Sequence, residues 1–206
     1  MSGGYGAGAY QDKMPTAGEQ VWDDLDGEAN GLLTGNKTNK FGYGTTFAGA
    51  NISVDYNKQQ DGGSGKSIGI DMSPIDGAMV FVAQSDEYSG PNASTDQVTF
   101  GGTYTTGATT VGMQLSSLDK AAANSDQDRT HFAASFAVNE NLSVSAGMYT
   151  VEFESASLVD QEDSGFAVSY TMGSMTIGAS ANAQDNAGGA NGTDDTHKEV
   201  SIAFAF

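Results

Sequence analysis

Apolar and small or polar residues alternate strictly along the last nine residues of the chain. The apolar positions are Val200, Ile202, Phe204 and Phe206. A period of two places alternate side chains on opposite faces of an extended chain, so residues 198–206 are predicted to form a β-strand with one wide apolar face. A soluble chain seldom ends on such a face, although an ordinary sandwich strand is the alternative interpretation.

The same alternation recurs from residue 38 onward and predicts about eleven strands. Each predicted strand has an apolar face of about four to five residues, which suits a tilted strand that crosses an apolar band of roughly 25 Å. The predicted faces lie at 41–47, 50–56, 68–72, 78–84, 98–104, 111–115, 132–138, 142–148, 166–172, 175–179 and 198–206.

The predicted connections alternate between short turns and long polar loops. The short turns lie at 48–49, 73–77, 106–108, 139–141 and 173–174. The long loops lie at 57–66, 85–96, 117–128, 154–164 and 182–197. Turns at one end and loops at the other are typical of an antiparallel up-and-down barrel in a membrane, and a Greek-key sandwich does not keep this parity. The predicted fold class is therefore an all-β transmembrane barrel.

The opposite faces of the predicted strands carry side chains too small and polar to fill a dry core. A water-filled lumen accounts for them better. The candidate lumen-facing residues are Asp55, Asp71, Thr103, Gln114 and Ser135. Aromatic residues gather near strand ends, as the interfacial girdles of a membrane barrel require, but β-propensity alone also favours them.

Composition narrows the classes of function. The 206 residues include 26 Asp and Glu against 8 Lys and Arg, a net charge of −18, which leaves few cations to neutralise nucleic-acid phosphates. The charge suits cationic solutes or bound divalent ions. Cysteine is absent, which excludes disulfides and thiolate metal sites.

Targeting signals are not evident in the sequence. No run of about 18 apolar residues is present, so no transmembrane helix is predicted. Residues 1–6 lack the basic and apolar regions of a signal peptide, which a secreted barrel needs. We therefore expect that the signal has been removed or that the natural N-terminus lies elsewhere.

An irregular acidic segment, residues 11–37, precedes the predicted strands. Its first carboxylates are Asp12, Glu19, Asp23, Asp24, Asp26 and Glu28. They surround Trp22 and Leu25, where a short helix would end quickly at glycines and Asn30. Residues 1–10 are either a weak strand or a loop. As a strand they would raise the count to twelve, and a small barrel would then close by itself.

The strand pattern, the acidic segment and the terminal Phe206 resemble the trimeric general porins of Gram-negative bacteria, most closely those of alphaproteobacteria. The ending resembles the insertion signal of outer-membrane barrels. In those sixteen-stranded porins the third loop folds into the barrel as its constriction. Residues 1–37 resemble that loop region, and residues 38–206 resemble the strands that follow it. The resemblance thus implies that five N-terminal strands are missing. The Pro-Glu-Phe-Gly-Gly-Asp signature of enteric third loops is absent.

The resemblance implies an outer-membrane channel for passive diffusion of small hydrophilic solutes and ions, with no enzymatic activity and no cofactor. It also implies a homotrimer, contacts with lipid and lipopolysaccharide, and insertion by the barrel-assembly machinery. Carboxylates at the narrowest point would attract cations and repel anions. The predicted filter is Asp23, Asp24, Asp26 and Glu28, with Glu19 and Asp12 as outer members. A solvated surface loop is the alternative.

Two other classes of function are open at this point. A hydrolytic barrel would need a histidine near its outer rim, and His131 and His197 are the two histidines of the chain. A structural or adhesive barrel with calcium at its extracellular loops would use acidic turns such as 61–65 and 191–195, which fit neither the nonapeptide Gly-Gly-x-Gly-x-Asp repeat nor the EF-hand loop spacing. Residues 62–67 resemble a phosphate-binding loop, but they join two predicted strands and no helix follows. No metal-ligand motif is recognised.

Overall fold

A computed structural model describes residues 5–10, 13–29, 40–58, 63–88 and 94–205. Its eleven strands form one sheet in chain order, and each strand pairs antiparallel with its neighbours in sequence. The strands are β1 (Lys40–Phe47), β2 (Ala50–Lys58), β3 (Ser64–Met72), β4 (Ala78–Tyr88), β5 (Ser94–Thr106), β6 (Thr109–Lys120), β7 (Gln127–Ala137), β8 (Leu142–Phe153), β9 (Gln161–Met172), β10 (Met175–Asp185) and β11 (Asp195–Phe204). The predicted up-and-down architecture is confirmed. Among the described strands, β1 and β11 are the two edges.

The strands are longer than the apolar alternation predicts, and the connections are shorter. The predicted loop 117–128 shrinks to 121–126, and the predicted loop 182–197 shrinks to 186–194. Backbone hydrogen bonds continue past the last apolar side chain because the ladder of an antiparallel pair does not depend on side-chain polarity. The apolar alternation therefore predicted the apolar part of each strand but not its polar end.

Two-residue turns close three of the hairpins, at 48–49, 107–108 and 173–174. Ala48 and Gly49 both have positive φ angles, 51° and 83°, as in a type I′ turn, whose twist matches that of the paired strands. The left-handed conformation costs an alanine roughly 1–2 kcal/mol. The pairing of β1 with β2 must therefore hold this turn in place.

The two faces of the sheet have opposite polarity. One face exposes large apolar side chains, including Phe41, Phe47 and Val200, which are 70%, 72% and 73% exposed. The other face buries polar side chains such as Gln97 and Gln161. In a soluble antiparallel sheet the apolar face packs on a core and the polar face meets water. In this sheet the polarity is inverted, because the apolar face is exposed and the polar face is covered.

Residues 5–10 and 13–29 lie against the polar face. Gly6–Tyr10 form a 3₁₀ helix, so the alternative in which residues 2–10 add a twelfth strand is wrong for the described part of that stretch. The reason is that the backbone N–H groups of Gly6 and Ala7 donate to the hydroxyls of Ser53 and Ser67 instead of to a neighbouring strand. The short helix predicted near Trp22 is replaced by a turn over 21–24. None of the helices in the described residues is long and apolar enough to cross a membrane.

Two small apolar clusters hold residues 5–10 and 13–29 to the sheet. The first packs Tyr10 and Met14 against Phe81 of β4, and the rings of Tyr10 and Phe81 are stacked at 5.4 Å. The second packs Val21 and Trp22 against Tyr149 and Val151 of β8. These clusters form the apolar core of the described chain, and they fix residues 13–29 on a face that is otherwise polar.

Candidate functional site

Residues 13–29, hereafter the docked segment, cross the polar face from β6 to β11. The backbone N–H of Ala17 donates to Ser145 of β8 at 2.8 Å. Further along, the backbone N–H of Asp26 donates to Asp195 of β11 at 3.0 Å. The segment therefore spans several strands, and its carboxylates lie over the polar face.

A trough of small residues in the sheet accommodates the docked segment. Gly112, Ala133, Gly147 and Gly165 are direct cross-strand partners from β6 to β9. A Cβ atom added at Gly147 would lie 2.9 Å from Cγ1 of Val21, and one added at Gly165 would lie 2.8 Å from the same atom. A larger residue at either position would displace Val21, so glycine lets the docked segment approach the strands closely there.

Trp22, the single tryptophan of the chain, anchors the middle of the docked segment. Its ring meets the rings of His131 and Tyr149 edge to face, with centroid distances of 4.6 and 5.1 Å. All three side chains are buried. Neither ring nitrogen of His131 hydrogen-bonds to a described residue. His131 is therefore part of an aromatic anchor, and the described residues supply it with no serine or aspartate partner for hydrolysis.

Side-chain amides bind the backbone at the end of the docked segment. The N–H of Gly27 donates to Gln184 at 2.9 Å, and the N–H of Glu28 donates to Gln161 at 2.8 Å. The Gln161 amide returns a hydrogen bond to the Glu28 carbonyl at 3.0 Å. Asn182 donates to the carbonyl of Gln20 at 3.0 Å. The side-chain amides of β9 and β10 thus form the hydrogen bonds to this backbone that a neighbouring strand would form in a sheet.

Arg129 of β7 is the principal cation beneath the docked segment. Its guanidinium donates to the Glu28 carboxylate at 3.0 Å, to the Ala29 carbonyl at 2.7 Å and to the Gln127 side chain at 2.7 Å. The Arg129 side chain is only 6% exposed. Sequence reasoning did not select this residue, although a signal was present, since Arg129 is the single arginine of the chain.

The six predicted filter carboxylates have different environments. Asp12 lies outside the described residues. Asp24 and Asp26 are exposed. Glu28 pairs with Arg129.

The remaining two carboxylates are engaged by neighbours. Burial raises the pKa of Glu19, although the Ser180 hydroxyl, which donates to it at 3.1 Å, acts in the opposite direction. Burial also raises the pKa of Asp23, against the effect of the Gln20 backbone N–H that donates to it at 2.6 Å. Of the described filter residues, Asp26 keeps its carboxylate open to solvent and ions, and the exposed Asp24 carboxylate lies 3.6 Å from Nε2 of His197. The filter role itself stays a prediction.

The polar face carries all five predicted lumen residues, namely Asp55, Asp71, Thr103, Gln114 and Ser135. Asp71 accepts a hydrogen bond from the Tyr10 hydroxyl at 3.0 Å, and Asp55 pairs with Lys40 at 2.6 Å. Gln114 is buried, and Ser135 is half-buried near the end of β7. Their assignment to a lumen stays a prediction, because it requires a closed wall.

The predicted insertion signal lies on the apolar face of edge strand β11. Val200, Ile202 and Phe204 are 73%, 59% and 57% exposed. Phe206 lies outside the described residues. The geometry gives this strand the apolar surface that was predicted, and its role in insertion stays a prediction.

The similarity of this chain to known proteins lies in its structure. No protein-family model matches the chain, and no curated protein matches it in sequence. An anion-selective porin from Comamonas acidovorans is structurally similar, with a TM-score of 0.68 and 15% identity over 82% of this chain and 59% of the porin. A loop-deletion mutant of OmpT, an outer membrane protein of Vibrio cholerae, has a TM-score of 0.64 and 15% identity over 89% of this chain and 72% of that chain.

The NanC porin is a third structural neighbour, with a TM-score of 0.53 and 11% identity over 81% of this chain and 98% of NanC. At such identities the similarity shows the fold, which is the antiparallel up-and-down architecture of porins. The chain spans 59% of the length of the Comamonas porin. The alphaproteobacterial affinity stays a prediction.

Proposed function

We propose that this chain forms the wall of a porin-type channel in a bacterial outer membrane, through which small hydrophilic solutes and ions diffuse passively. The inverted polarity of the sheet is the observation that carries this proposal. Large apolar side chains are exposed on one face, while amides, hydroxyls and carboxylates line the other. Lipid solvates the first kind of surface and water the second, as in a membrane barrel around a polar lumen.

The backbone hydrogen bonding of the sheet also supports a membrane location. In lipid each unsatisfied backbone group costs several kcal/mol, and antiparallel pairing satisfies these groups along the interior of the sheet. Lipid and lipopolysaccharide would cover most of the apolar face, and part of it would meet neighbouring copies in a trimer. Insertion by the barrel-assembly machinery belongs to the same proposal.

The docked segment would narrow the channel and give it a preference for cations. It carries five carboxylates and one lysine, and Arg129 compensates Glu28 from below. Asp24 and Asp26 remain exposed. Each would stabilise a monovalent cation at about 4 Å by roughly 1 kcal/mol in water, and by more where the channel excludes water. Anions would be repelled to a similar extent.

Single-channel recording of the full chain in a planar bilayer under a potassium chloride gradient tests the proposal. We expect stepwise openings with a reversal potential that favours potassium. Replacing Asp24→Asn and Asp26→Asn together should lower that preference several-fold and leave the openings in place. The matched control is Asp76→Asn, which removes an exposed carboxylate from the turn 73–77, away from the docked segment.

The outcomes separate the parts of the proposal. Openings that favour anions would keep the channel and discard the acidic filter. Equal effects of the Asp76 control and the double variant would also discard it. Folded protein that never opens would contradict the channel itself.

A second candidate is a small barrel with a structural or adhesive role. A small barrel is favoured by the match to the NanC porin, since 81% of this chain aligns with 98% of that protein. The recording again distinguishes the two, since a plugged structural barrel gives no openings.

A further inference from the structure

Four metal-ligating side chains meet where the docked segment reaches edge strand β11. Glu19 and Asp24 come from the segment, and His197 and Glu199 come from the polar face of the strand. One donor atom from each lies within 4.8 Å of all the others. Sequence analysis did not recognise this group because its two halves lie at opposite ends of the chain.

The imidazole of His197 is directed into this group without a hydrogen bond. Its Nε2 atom is 3.6 Å from Oδ2 of Asp24 and 3.9 Å from Oε2 of Glu199. Both distances exceed that of a hydrogen bond. Nε2 is shielded from solvent and has no hydrogen-bond partner among the described residues, although the ring as a whole is 31% exposed. Since no hydrogen bond occupies Nε2, this atom is available as a metal ligand.

In the described part of the chain, no lysine or arginine pairs with the three carboxylates of the group, those of Glu19, Asp24 and Glu199. Like charges this close repel one another unless a proton or a cation lies between them.

We propose that Glu19, Asp24, His197 and Glu199 bind one divalent transition-metal ion of the zinc class. Carboxylate oxygens and imidazole nitrogens bind zinc at about 2.0–2.2 Å, which places the donors of a tetrahedral site roughly 3.4 Å apart. The two distances from His197 are close to that value. The other distances between donor atoms, which are at most 4.8 Å, need to shorten modestly. Asp24, the most exposed of the four side chains, has room to move.

The surroundings of the site support a built ligand set. The Ser180 hydroxyl donates to Oε2 of Glu19 at 3.1 Å and so orients this carboxylate from β10. The imidazole favours zinc over calcium, which takes six to eight oxygen ligands. The site is thus different from calcium at the extracellular loops. A bound ion would link the docked segment to β11 and would lie on the polar face of the sheet.

Zinc binding is measured by isothermal titration of the full chain in detergent, with zinc chloride and calcium chloride as probes. We expect one zinc ion per chain and weaker binding of calcium. His197→Gln and Glu199→Gln should each lower zinc affinity by at least about tenfold, the loss that follows even from removal of an outer-shell partner. The matched control is Glu152→Gln, an exposed strand carboxylate outside the group, which should bind zinc as the native chain does.

Cobalt(II) provides a second readout, because its visible spectrum reports imidazole ligation and tetrahedral geometry. Loss of the cobalt bands in His197→Gln, with an unchanged far-ultraviolet circular dichroism spectrum, supports the site. Zinc binding that survives His197→Gln, binding of calcium as tight as that of zinc, or no binding at all overturns the proposal. These measurements need no membrane, so a failed channel recording leaves them unaffected.

Discussion

At the scale of single residues, Arg129 joins the sheet to the docked segment. We expect Arg129→Met to weaken docking, because it leaves the Glu28 carboxylate without its partner and the Ala29 carbonyl without a donor. Loss of one partner from a buried pair costs about 3–5 kcal/mol. Glu28 is 38% exposed, so a loss of about 1–3 kcal/mol is expected. Hydrogen exchange of the Glu28 amide should accelerate accordingly.

The matched control is Lys66→Met, which removes the cation of an exposed pair. Lys66 and Asp86 lie 3.1 Å apart, and their side chains are 71% and 36% exposed. Exposed pairs contribute about 0–1 kcal/mol, so exchange at Glu28 should not change. Equal acceleration in both variants would mean that Arg129 acts through the overall charge of the protein and not through its contacts.

At the scale of elements, the trough of small residues decides where the docked segment lies. Gly147→Ala should displace Val21, because the new Cβ would lie 2.9 Å from its Cγ1 atom and 3.1 Å from the backbone oxygen of Phe132. Overpacking of this kind costs typically 1–3 kcal/mol. The adjacent Trp22 would then lose its fit against β7 and β8. Its fluorescence, the only tryptophan emission of the chain, should shift to the red and become more accessible to iodide.

Gly44→Ala in β1 is the control for this substitution. A Cβ atom at Gly44 would meet its nearest neighbour, the Tyr5 ring, at 3.7 Å, which is an ordinary contact. The emission of Trp22 should stay unchanged. An identical shift in both variants, or none in Gly147→Ala, would contradict the role of the trough.

The elements also show what the sequence could predict. Alternation such as that of Phe132 and Phe136 in β7 sufficed to predict eleven strands and their order, because the period of two is local. The docking of Trp22 on His131 was not predictable, since the contact joins residues far apart in sequence. Gly147 and Gly165 carry no distinguishing signal in the sequence, because their pairing across two strands becomes visible only with the register.

At the scale of the whole molecule, the odd number of described strands restricts how the wall closes. In a meander every second strand runs in the same direction, so β1 and β11 are parallel to each other. Direct closure would insert one parallel pair into an antiparallel wall, whereas bacterial single-chain barrels have even strand numbers. Open edges also invite pairing with other strands. We therefore expect at least one further strand between β1 and β11 in the assembled channel.

Cysteine cross-linking tests this expectation, because the native chain contains no cysteine. Ala179→Cys with Val200→Cys joins direct partners on β10 and β11, so a short bismaleimide should link them within one chain. Tyr43→Cys with Val200→Cys places the thiols on the two edge strands, and we expect no link within a chain because an intervening strand separates them. Links of equal yield in both double variants, seen as the same shift in gel mobility, would mean instead that the wall closes through a parallel seam between β1 and β11.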